Sequence, residues 1–113
     1  MKPTHKDFWF LPLGGCGEIG MNLNLYGHAG KWLMVDCGIT FEKSPTGVGN
    51  RVEMADPLFI SSRHHALVGM IATHAHEDHI GAIAHLWEQF RCPIYTTAFT
   101  RQVLVRKLRQ KGI

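Results

Sequence analysis

Between residues 21 and 26, Met21, Leu23 and Leu25 alternate with Asn22, Asn24 and Tyr26. A period of two is the pattern of a strand with one buried face. Short apolar runs at 8–13 and 31–35 flank it, separated from it by glycine-rich turns at 14–20 and 27–30. Strand, glycine loop, strand, turn and strand predict an antiparallel meander. Residues 39–55 are polar and contain glycine, which predicts a loop, either bordering a substrate cleft or serving as a solvated connector. Asp56-Pro57 has the form of a helix N-cap followed by proline at the first helical position, opening a short helix through about Arg63. The apolar run 66–72 predicts a buried strand. From 80 to 90 the period becomes helical, with Ile80, Ile83, Ala84, Trp87 and Phe90 on one face and His85, Glu88 and Gln89 opposite. Gly81 costs that helix ~1 kcal/mol against alanine, so a close backbone approach to the preceding loop is expected there. Residues 92–96 form a short strand. Thr97 then caps a last helix through about Gln110, its apolar side made by Phe99, Val103, Leu104 and Leu108. Arg101, Arg106, Lys107, Arg109 and Lys111 make the remainder of that helix basic, an ordinary solvated face or an RNA contact.

The 113 residues suffice for one small domain with a modest core. With 45% hydrophobic and 19% charged residues, the composition is that of a soluble globular chain. No apolar run approaches the ~20 residues of a membrane span, and the first residues carry no leader pattern. Cys16, Cys37 and Cys92 are an odd set without a C-x-x-C pair, which argues against a disulfide framework and for a reducing cytoplasm. Cys37 reads best as a buried small residue. The formal charge of +3 mildly favours an acidic partner such as nucleic acid.

The densest chemistry lies at 73–81, where three histidines and two carboxylates fall between strand and helix. In an extended segment alternate side chains share a face, so His74 and His76 can grip one metal. Asp78 and His79 sit at the turn into the helix and can reach a second. Two ions ~3.5–4 Å apart can clamp the attacking and leaving oxygens of a hydrolysis. Glu77 between them is expected to face solvent. His64 and His65 close the short helix at the surface, and His5 and His28 have no assignable role.

Gly15, Gly17 and Gly20 spell G-x-G-x-x-G, with Asp36 at the distance where a dinucleotide fold places its ribose-binding acid. Such a site needs a helix to begin at the glycines. The period-two residues that follow exclude one.

The motif His74-x-His76-x-Asp78-His79 resembles that of the metallo-β-lactamase superfamily. The segment 14–22, Gly-Gly-Cys-Gly-Glu-Ile-Gly-Met-Asn, resembles the N-terminal signature of the ribonuclease J family in the β-CASP branch. Val35-Asp36-Cys37-Gly38 is similar to the superfamily's first motif. The resemblance implies an α/β fold, the N-terminal half of an αββα sandwich with a mixed sheet and flanking helices. The chain, residues 1–113, would then be part of an incomplete metallo-β-lactamase domain. It implies two zinc ions, with manganese or magnesium as substitutes: one on His74 and His76, the other on Asp78 and His79. Asp36 would orient the loop from beneath. Asp78 and His76 would carry catalysis of RNA phosphodiester hydrolysis, endonucleolytic or from the 5′ end. RNA would be the partner, and the intact protein a cytoplasmic homo-oligomer with no membrane contact. Further family ligands lie outside this sequence, so the isolated chain is expected to bind metal weakly and to be inactive. Two other readings stand: a hydrolase of small thioesters, lactones or β-lactams, and a truncated, non-catalytic product.

Overall fold

The structure, a computed structural model, describes residues 2–15, 17, 20–43 and 50–113. Cys16, Glu18 and Ile19 of the glycine segment and residues 44–49 of the expected cleft loop lie outside the described residues.

The meander forms as the pattern predicts. Strands β1 (Phe8–Gly14), β2 (Leu23–His28) and β3 (Lys31–Val35) pair antiparallel in sequence order. Ala29 and Gly30 make the β2–β3 turn, both at positive φ. No helix begins among the described glycines, so the dinucleotide geometry is absent there. Residues 39–55 are not a plain loop. They contain β4 (Ile39–Lys43) and β5 (Asn50–Met54), an antiparallel pair forming its own two-stranded sheet. Ile39, in register with Met54, is buried in the core and Met54 packs against it.

α1 (Leu58–Ser61) is shorter than the pattern suggested and begins one residue later, with Pro57 in the N-cap position in place of Asp56, whose carboxylate accepts from the Leu58 amide at 3.0 Å. A 3-10 turn at His64–Ala66 leads into β6 (Leu67–Ile71), which lies parallel to β3. The helix expected from Ile80 is interrupted. It is divided into α2 (Glu77–Ile80) and α3 (Ile83–Phe90). β7 (Ile94–Tyr95) pairs parallel with β6, and α4 (Ala98–Gln110) follows with the Thr97 hydroxyl accepting from the Thr100 amide. The sheet order is β1-β2-β3-β6-β7, a mixed sheet with flanking helices.

One sheet face and the helices form the core. Leu25, Trp32, Met34 and Met70 meet Ile60, Ile83, Leu86, Phe90 and Leu104. Leu86, not singled out by the pattern, is buried on α3, whereas Ala84 and Trp87 are only half-buried. Phe99 leaves the α4 core side altogether at 71% exposure, and Thr100 is buried instead. Gly81 is approached by the Ile39 side chain and by its own turn at Glu77, so it marks packing on β4.

β6 is buried on one face only. Val68, Ile71 and Tyr95 join Phe8 and Phe10 in an apolar, exposed set on the other face of the sheet. Phe8 and Phe10 lie against Tyr26 there, with ring centroids 6.0 and 5.2 Å apart.

Cys37, two residues beyond β3, is fully buried, and both it and Cys92 are free thiols. Burial pushes the Cys37 thiol up to about 12, with Cys92 adding to the effect. A raised native pKa means the folded chain keeps a proton that the unfolded chain releases near 9.0. The stabilisation is therefore complete below pH 9 and is lost as pH rises towards 12. Urea unfolding at pH 8 and pH 10.5 should show a smaller pH-dependent loss in Cys37→Ala than in wild type.

Candidate metal centre

The ligand loop starts where β6 ends. Ala72 is clamped on both sides: its amide donates to Tyr95 O at 3.0 Å, and its carbonyl accepts from the Thr96 hydroxyl at 2.8 Å. The chain bends at Ala75, is extended at His76, at φ −78° and ψ 147°, and turns into α2. His74, His76 and Asp78 each offer a donor atom, and these atoms lie within 4.8 Å of one another. His79 stands beside them. Its ring centroid is 3.8 Å from that of His74, and its Nε2 is 3.5 Å from Asp78 Oδ2. Asp78 thus lies within reach of both the His74–His76 pair and His79. Two or three imidazoles and a carboxylate converging at this range suit zinc and similar divalent ions.

Beneath the loop, Asp36 is only 4% exposed and takes a positive φ of 65°, which short polar residues tolerate. Oδ1 accepts from the Thr73 amide at 2.8 Å, and Oδ2 faces His79 Nδ1 at 2.7 Å. An ionised carboxylate only accepts, so the His79 proton sits on Nδ1 and Nε2 keeps its lone pair on the Asp78 side. The Thr73 hydroxyl lies 2.8–2.9 Å from both Asp36 oxygens and 3.0 Å from His74 Nδ1. Donating its one proton to Asp36, it can accept from His74 Nδ1 and leave His74 Nε2 free in turn. One carboxylate therefore biases the tautomers of two histidines. Thr73 escaped the sequence reading because a threonine before a histidine has no signal of its own.

Glu77 does not simply face solvent. It forms an ion pair with Lys107 of α4, both half-exposed, which ties the basic helix to the loop. Arg101, Arg106, Arg109 and Lys111 stay exposed. His64 and His65 are exposed with their rings tilted at 40° and 4.0 Å apart, and His28 Nδ1 lies 2.7 Å from Asp7 O, so neither set joins the loop.

Among the described residues, then, a mixed sheet delivers an H-x-H-x-D-H loop at a strand's C-terminal end, with a buried aspartate under it. Residues 66–110 match the sequence profile of the Metallo-beta-lactamase superfamily, and the mixed sheet with its flanking helices is consistent with a fragment of that fold. The chain is also similar to ribonuclease J of Sinorhizobium meliloti, 46% identical over 106 residues, or 90% of this chain and 19% of that protein. Ribonuclease J of Synechocystis is 36% identical over 91% of this chain and 16% of its own length. Ribonuclease J 2 of Staphylococcus aureus is 28% identical over the whole chain and 20% of its own length. The chain thus spans a fifth or less of these relatives. Among the described residues, no helix is long and apolar enough to cross a membrane.

Proposed function

We propose that the chain is the N-terminal part of a metallo-β-lactamase domain in a two-metal ribonuclease. The observation that carries this reading is the convergence of His74, His76 and Asp78 over the buried Asp36. In it His74 and His76 hold one zinc and Asp78 and His79 the other, with manganese or magnesium as substitutes. Bound divalent ions supply Lewis acidity and lower the pKa of a water molecule. The chain's own part is to hold the ligands. Asp36 keeps His79 Nε2 unprotonated, Thr73 passes the same constraint to His74, and Asp78 and His76 face the reaction. The similarity to ribonuclease J and the exposed basic residues of α4 support RNA as the substrate. The bare apolar sheet face supports a domain completed by polypeptide beyond this segment. Free Cys37 and Cys92 support a reducing cytoplasm, and a homo-oligomer of the full-length protein belongs to the same reading.

The test is hydrolysis by the full-length product of the encoding gene. RNA should be cleaved only with a divalent ion, with loss of cleavage in His76→Ala, and the isolated 113-residue chain should be inactive. Intact RNA alongside hydrolysis of a thioester or a β-lactam would replace this reading with a small-substrate hydrolase.

A further inference from the structure

The glycine segment at 14–22 has no nucleotide to bind, yet its last residue touches the ligand loop. Asn22 places two donors on one acceptor. Its backbone amide reaches the Asp78 carbonyl oxygen at 3.1 Å, and its side-chain Nδ2 reaches the same oxygen at 2.9 Å. Only the NH2 end of the amide can donate to a carbonyl, so the orientation of the Asn22 side chain is determined. Gly15, at φ +89°, packs on it. A side chain at that position would overlap the Asn22 amide oxygen and come within 3.0 Å of its Cα. From the other side, the Gly38 amide donates to Asn22 O at 2.9 Å.

The Asp78 carbonyl is available because the helix is broken. In a continuous helix it would accept from the Ala82 amide. Here that amide donates to Cys37 O at 2.9 Å, while His79 O accepts from the Cys37 amide at 2.8 Å. The backbone of Asp78 and His79 is therefore held from outside the helix, by Asn22 and Cys37. The peptide plane from which the Asp78 carboxylate projects is set by the two Asn22 donors.

We infer that Asn22 is a positioning residue of the metal centre: its side-chain amide fixes the Asp78–His79 peptide and so the aim of the Asp78 carboxylate. The inference rests on the metal reading above. It also gives Gly15 a role, since a side chain there would overlap the Asn22 amide that reaches the loop. Partners of this kind hold ligands in place, and their loss weakens metal binding by about 10-fold or more.

The experiment is a Co2+ titration of the metal-free chain, followed by visible absorption, on wild type, Asn22→Ala and Asn22→Asp. Circular dichroism and urea midpoints are measured on the same samples. Asn22→Asp keeps the size of the side chain but replaces the donor with an acceptor, so it remains informative if the alanine variant fails to fold. The expected result is about 10-fold weaker Co2+ binding with an altered band shape in the folded variants. A lower urea midpoint with unchanged Co2+ affinity and spectrum would make Asn22 merely structural and overturn the inference. Absence of saturable Co2+ binding by folded wild type would overturn the metal reading itself, and the role of Asn22 with it.

Discussion

Asp36→Asn is expected to leave the fold standing, reverse the tautomer of His79 and weaken metal binding by about 10- to 100-fold. Asparagine is nearly the same size as aspartate and tolerates the φ of 65° at this position. Its carbonyl can still accept from the Thr73 amide. Its NH2 group then faces His79 Nδ1, where a carboxylate oxygen now lies at 2.7 Å. Two donors cannot meet, so Nδ1 must become the acceptor and the ring proton must move to Nε2. A protonated Nε2 cannot bind a metal. The Thr73 hydroxyl keeps Oδ1, 2.9 Å away, as its acceptor, so the constraint on His74 persists while that on His79 is reversed. Long-range 1H–15N spectra of the metal-free chain read the tautomer directly, and a metal titration reads the affinity. Wild-type tautomer and affinity in Asp36→Asn would show that the carboxylate does not set this loop.

Gly38→Ala should cost about 3 kcal/mol or expel the loop from its seat. Gly38 follows Cys37 beyond β3, and its Cα rests on the peptide between Asp78 and His79. A methyl group there would overlap Asp78 C and O and lie 2.7 Å from His79 N. These are backbone atoms, already tied to Asn22 and Cys37, so they cannot rotate away as the end of a side chain can. Overpacking of this kind is relieved only by moving the loop. Urea unfolding gives the stability loss, and the same metal titration shows whether the ligands still converge. A stable variant with unchanged metal affinity would mean that the loop has room the structure denies it.

The parts legible in the sequence were those with local causes. Alternation at 21–26 gave β2, Gly30 marked the β2–β3 turn, and H-x-H-x-D-H gave the loop its chemistry. What escaped was decided by partners distant in sequence. The break between α2 and α3 is invisible in a helical pattern because Asn22 and Cys37 impose it, the former across 56 residues. The β4–β5 pair hid in a polar segment, although Ile39, Phe41, Val52 and Met54 alternate as strand residues do. Phe99 was assigned to the core by helical spacing, but it is exposed and Thr100 is buried on that helix instead. Glu77 was left to solvent because Lys107, its partner, lies on α4. Asp36 was recognised through its similarity to a known motif. Its hold on two histidines needed Thr73 as well, and that geometry only the fold supplies.

The central claim is that residues 74–79 form a metal site. Equilibrium dialysis of the metal-free chain against zinc, on wild type and His76→Ala, tests it most directly. Weak but saturable zinc binding by wild type, abolished or further weakened in the folded variant, is the predicted result. Equal zinc binding in the two, or none in folded wild type, would contradict the account.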